Sequence, residues 1–223
     1  VNAIPDNWPM ALHLSQGSIH TVQTHSSYFG YRMLNGMSKK ILKPMENKDL
    51  QYTGHYVDHE LVYHLNEDCA MRISRANEDK PLRILMTIGG AGAQREMFCT
   101  IIRSLLPKVK TGKVVLIINV GDYKNVWEKL QEAIPELKKE AVFLDNDWEK
   151  TRFFAESLLS ETTLINGIYG IYHADLFQAV YATNLLMRGI DLMVTKPSEL
   201  AFYSVPKLFI QRVGGHEKWG AIH

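Results

Sequence analysis

The feature that most restricts this chain is a rhythm beginning at Lys80, where short apolar runs alternate with helix-length amphipathic stretches. That alternation is the sequence form of a parallel sheet with crossover helices. The first apolar run, residues 82–88, is stopped by Gly89 and Gly90. Residues 95–106 follow with Met97, Phe98, Ile101, Ile102, Leu105 and Leu106 at helical spacing, and Pro107 is expected to close the helix. Residues 113–120 form a β-branched run halted by Gly121-Asp122. Residues 126–134 return to the helical period, 141–144 read as a short strand, and 153–159 as a helix. Residues 167–172 read as a strand and 176–187 as a long apolar-faced helix. Residues 191–195 and 206–210 are strand-like, with a short helix between them. The expected fold is α/β: a Rossmann-like parallel sheet of about six strands with helices on both faces.

Upstream the pattern is harder to close. Residues 19–24 and 51–57 alternate like strands, while 28–37 and 60–75 read as helices. Two strands and a few helices cannot cover both faces of a sheet, so residues 1–76 are expected to be the C-terminal part of a second, truncated Rossmann-like lobe. The chain, running from Val1 to His223, reads as a piece of a longer protein. Residues 77–81, Asn-Glu-Asp-Lys-Pro, form a polar, Pro-terminated linker ahead of the main lobe at 82–223.

Composition removes several alternatives. The 25 Lys plus Arg nearly balance 24 Asp plus Glu, which leaves no electrostatic case for gripping nucleic acid. Cys69 and Cys99 cannot build a disulfide framework, and no apolar run reaches the length of a membrane span. A cytoplasmic location is expected, with peripheral membrane contact compatible with it.

Two segments carry the candidate chemistry. Gly89-Gly90-Ala91-Gly92 lies between a buried-type strand and a helix, where bare backbone N–H groups and a helix N-terminus suit an anion. The same cluster also serves a ligand-free tight turn. It departs from the G-x-G-x-x-G dinucleotide pattern, and no acidic residue closes the second strand except the late Asp122. The second segment runs from Asp191 through Thr195, Lys196, Pro197, Ser198 and Glu199 to Val205-Pro206, ending at Gly214-Gly215-His216. Thr195 to Glu199 would sit at the carboxyl end of a strand, where open α/β sheets bind ligands. There the Glu199 carboxylate could accept two hydrogen bonds from a ribose, or else complement its own helix dipole. His55, His59 and His64, with Asp58 and Glu60, lack an H-E-x-x-H pattern and read better as solvated residues at a helix start than as a metal site. The aromatic segment 26–33 reads as the packed face of a helix rather than an acceptor groove.

In order and wording, this second segment and the glycine turn resemble the donor domain of GT-B glycosyltransferases, in particular the group of the lipid II GlcNAc transferase and monogalactosyldiacylglycerol synthases. The resemblance covers residues 80–223, and Tyr52-Thr53-Gly54-His55-Tyr56-Val57 is similar to the segment closing the acceptor domain there. It implies a nucleoside diphosphate sugar, expected to be a UDP-sugar, as donor substrate and transfer of a hexosyl group to an unknown acceptor, with a lipid among the candidates. Gly89, Gly90 and Gly92 would line the cleft near the diphosphate, and Glu199 would hold the ribose. Tyr172 and His173 would lie where the base is read, mostly through backbone groups. Gly215 and His216 would face the diphosphate or the sugar. The chain has Thr195-Lys196-Pro197 where the family has a longer small-residue turn, and Lys196 would meet phosphate charge directly. No metal or other cofactor is implied, a homo-oligomer is compatible, and the catalytic base is unassigned, since His20, His25 and His55 match no family motif. The rival readings are a non-hydrolysing UDP-sugar 2-epimerase and a non-catalytic nucleotide-sugar-binding protein.

Overall fold

A computed structural model describes residues 19–23, 25, 28, 48–88, 94–160, 163–196 and 203–210. The chain divides into two compact units, the first formed by residues 1–57, 196–203 and 209–223, the second by residues 58–195 and 204–208. The described part of the first unit centres on two short parallel strands, β1 (His20–Val22) and β2 (Leu50–Tyr52). Val22 and Leu50 are buried together, with Tyr28 packed against them. The expected strands at 19–24 and 51–57 are thus present but shorter. Beyond β2 the chain is held by individual bonds: Thr53 N–H donates to the Val22 carbonyl (3.0 Å) and Tyr56 N–H to Gln23 Oε1 (3.1 Å).

The second unit contains β3 (Leu82–Thr87), β4 (Val114–Asn119), β5 (Ala141–Asp145), β6 (Gly167–Tyr172), β7 (Leu192–Thr195) and the start of β8 (Lys207–Phe209). They form a sheet in the order β5-β6-β4-β3-β7-β8, and the β3–β4, β3–β7, β4–β6 and β5–β6 ladders are all parallel. Central position explains composition. All six residues of β4 are buried, as its continuous Val-Val-Leu-Ile-Ile run demands. At the outer edge, β5 buries only Leu144 and leaves Val142 half exposed.

Seven helices are described in this unit: α1 (His59–Tyr63), α2 (Leu65–Asn77), α3 (Arg95–Lys110), α4 (Lys124–Ala133), α5 (Pro135–Glu140), α6 (Trp148–Leu159) and α7 (Leu176–Gly189). Helix α3 buries Phe98, Ile102, Leu106 and Val109, a single stripe at helical spacing. It runs past Pro107 instead of ending there. Proline removes one bond to the preceding turn, but the last turn is anchored by buried Val109 and closed by Thr111 N–H on the Pro107 carbonyl (3.2 Å). Helix α6 begins five residues before the expected 153, because Asp147 caps it by accepting from Lys150 N–H (3.1 Å).

The expected helix at 60–75 is two helices that break at His64, with Asp58 capping the first. Both belong to the same unit as the sheet. Arg72 of α2 donates to the Ile190 and Met187 carbonyls (2.8 and 2.9 Å), and Arg75 pairs with Asp191 (3.0 Å). Residues 77–81 therefore form a turn inside this unit, where Lys80 N–H returns to the Arg75 carbonyl (3.0 Å).

Candidate functional site

The carboxyl ends of β3, β4, β6 and β7 gather polar residues that terminate apolar runs. Thr87 and Thr195, the last residues of adjacent strands, share a buried hydroxyl-to-hydroxyl bond of 2.8 Å. Asn119 closes β4 with both ends of its amide engaged: Nδ2 donates to Thr183 Oγ1 (2.9 Å) and Oδ1 accepts from Gly121 N–H (2.9 Å). That second bond folds the chain into a turn with Gly121 at φ +61°, a conformation that favours glycine.

Tyr172 and His173 stand at the end of β6. Tyr172 is partly buried, and Lys124 lies 5.6 Å from its ring centre while pairing with Asp145 at 2.6 Å. His173 is fully enclosed, so its ring does not face solvent. Its backbone N–H donates to the Gly121 carbonyl (3.1 Å), and the Tyr172 carbonyl accepts from Asn146 N–H (2.9 Å). These two backbone groups are thus already used by the protein itself. Of the residues singled out in the sequence, the structure brings Thr195 beside Thr87 and places Lys196 directly after β7. Gly89, Gly90, Gly92, Ser198, Glu199, Gly215 and His216 lie outside the described residues. His64 is held between Glu67 (2.8 Å) and Glu60 (3.3 Å), a local arrangement at the helix break.

His173 Nε2 lies 3.0 Å from Thr151 Oγ1, its ring meets Trp148 edge-on, and Nδ1 is buried without a partner among the described residues. Burial lowers the His173 pKa, against opposition from the carboxylates of Asp147 and Asp175. The folded state therefore binds a proton less readily than the unfolded chain, whose histidine titrates at 6.5. The stability that follows is complete above that value and shrinks as pH falls below it. Urea midpoints are expected to drop between pH of about 7.5 and 5.5, with a smaller drop in His173→Asn. Equal drops in the two proteins would assign the effect to other groups.

Asn119 and Thr151 were not singled out by sequence reasoning, although a polar residue ending an unbroken apolar run was the available signal for the first. The second has none, because a threonine inside an amphipathic helix is unremarkable until His173 is found against it.

No curated protein and no solved structure matches the chain. Residues 1–33 match a family described as a domain of unknown function, DUF6937. A second match, to the domain of unknown function DUF6938, extends over residues 45–223. With most of its length inside that match, on a six-stranded sheet whose described ladders are parallel, the chain belongs to the DUF6938 family.

Proposed function

We propose that this protein binds a nucleoside diphosphate sugar, with a uridine base, across the carboxyl ends of β3 and β7, and transfers the hexosyl group to an acceptor. The observation that carries the reading is the strand order. With edge strand β5 set aside, the order β6-β4-β3-β7-β8 places the unit's first strand in the middle and reverses the direction of sheet growth between β3 and β7. Ligands of open α/β sheets bind where that reversal opens a crevice. The two segments that sequence reasoning singled out, the glycine turn after β3 and Thr195 to Glu199 after β7, leave the sheet at those two strand ends.

In this reading the sheet belongs to a GT-B donor lobe, and residues 1–57 belong to the acceptor lobe. The backbone amides of Gly89, Gly90 and Gly92, together with Lys196, stabilise the departing diphosphate. Glu199 takes the ribose hydroxyls, and Gly215-His216 approaches the diphosphate or sugar. The Thr87–Thr195 bond fixes the spacing between the strand ends from which two of these segments depart.

Calorimetric titration of the full chain with UDP, UDP-GlcNAc and ADP tests the reading. UDP is expected to bind more tightly than ADP, and Glu199→Gln is expected to weaken UDP at least tenfold with an unchanged melting temperature. No heat and no thermal shift with millimolar UDP would sink the donor site. Conversion of UDP-GlcNAc to its 2-epimer without an acceptor would replace the transferase reading with the epimerase.

A further inference from the structure

Arg83 is the second residue of β3, a central strand otherwise closed to charge, and its side chain is buried, with the residue 5 % exposed. Nη1 donates to the carbonyls of Leu158 and Gly189, at the C-terminal ends of α6 and α7. Among the described residues Nε and Nη2 have no partner, yet neither is sealed from solvent. These two atoms form the side-on edge of the guanidinium, the edge that grips a carboxylate with two parallel bonds. Arg75, close by, shows that use: its Nε and Nη2 both reach Asp191 at 3.0 Å.

Arg83 lines a cavity of about 280 Å³ at the amino end of the sheet, opposite the strand ends considered above. Arg75 and Lys80 also line it, facing Glu78, which Lys80 meets at 3.3 Å. Asp191 is committed to Arg75 and to the Arg83 backbone N–H (2.8 Å), so among the described residues no carboxylate is bonded to the Arg83 guanidinium. Arg72 gives Nε and Nη2 to carbonyls while its Nη1 is buried without a partner among the described residues, and the pKa of Lys207, half-buried near Arg72, is pushed down to about 8 by burial and by that neighbour. A buried cation whose partners among the described residues are all carbonyls is costly, and an entering anion relieves that cost. The lining also includes the apolar residues Met71, Leu159 and Ile165. The volume is at the lower end for small-molecule sites.

We propose that this cavity binds a small amphipathic carboxylate, a short acyl chain whose headgroup pairs with the side-on edge of Arg83 and whose tail lies against Met71, Leu159 and Ile165. The occupant is independent of any nucleotide at the opposite end of the sheet. Thermal-shift and calorimetric titrations of the full chain with hexanoate, hexanol and inorganic phosphate test it. Hexanoate is expected to raise the melting temperature saturably, while hexanol, with the tail alone, and phosphate, with charge alone, bind at least tenfold more weakly. Leu164→Glu places a carboxylate at the rim, where Leu164 is 81 % exposed, and is expected to weaken hexanoate at least tenfold without altering the unliganded protein. Arg83→Lys keeps the charge but loses the paired edge and is also expected to weaken hexanoate at least tenfold, at a cost to the melting temperature of the unliganded protein, since two helix-end carbonyls share the lost donor. No hexanoate response, an equal response to hexanol or phosphate, or full binding by Leu164→Glu would overturn the proposal.

Discussion

Gly170→Ala is expected to lower the melting temperature by about 6–12 °C, from an overpacking cost near the upper end of the usual range, about 3 kcal/mol. Elsewhere in a strand the exchange would help by up to about 1 kcal/mol, since glycine loses the most backbone freedom on folding. Here the sign is set by one ring. A Cβ on Gly170 would lie 2.5–2.7 Å from three atoms of the Trp127 indole. The indole cannot retreat easily, because it is 1 % exposed and stacked on Phe143 with ring centres 4.9 Å apart. The contact is therefore the cause, and removing the ring should remove the penalty. In a Trp127→Leu background the added methyl is expected to cost less than about 1 kcal/mol, although that background is itself destabilised by a cavity. Denaturant titrations of the four proteins decide the matter. An equal Gly170→Ala penalty with and without the indole would place the cost in the backbone.

Asp191→Ala is the second large effect, at about 3–5 kcal/mol, the range for removing one partner of a buried ion pair. The carboxylate and Arg75 are 11 % and 13 % exposed, so solvent does little to replace what is lost. Asp191 also accepts the Arg83 backbone N–H, at the point where β3 begins. One deletion thus leaves the Arg75 guanidinium with the Pro81 carbonyl alone among the described residues, and a strand amide without its acceptor. The double variant Arg75→Leu/Asp191→Leu is expected to recover more than half of the loss, because the stranded charge is gone while the amide remains unpaired. A single-variant cost within about 1 kcal/mol of zero would show that Arg75 finds water or another acceptor.

What the sequence disclosed follows from what periodicity records. Strands β3, β4 and β6 are apolar runs bounded by glycine or polar residues, so their placement needs no tertiary information. Continuation through Pro107 and the early start of α6 depend on Val109 burial and the Asp147 cap, which a moving window of hydrophobicity does not weigh. Helix α2 was harder still. Its tie to the sheet runs through Arg72 and Arg75 to carbonyls and a carboxylate more than a hundred residues away, and nothing local distinguishes them from solvated arginines. Arg83 offered the plainest missed sign, a charge inside an otherwise aliphatic strand. Thr195 and Lys196 were legible as candidates from chain order alone, but the Thr87 partner was not, since adjacency of β3 and β7 is a property of the sheet.

The position of β5 has a consequence for how the protein can be made. Its single neighbour among the described residues, β6, emerges later during synthesis, after the whole of α6. A nascent chain that has released residues up to 159 holds β3 and β4 side by side but has no template for β5. The border of the sheet therefore waits on an interior strand, and a ribosome stalled between α6 and β6 would display β5 unpaired, with Val142 and Phe143 open to other chains.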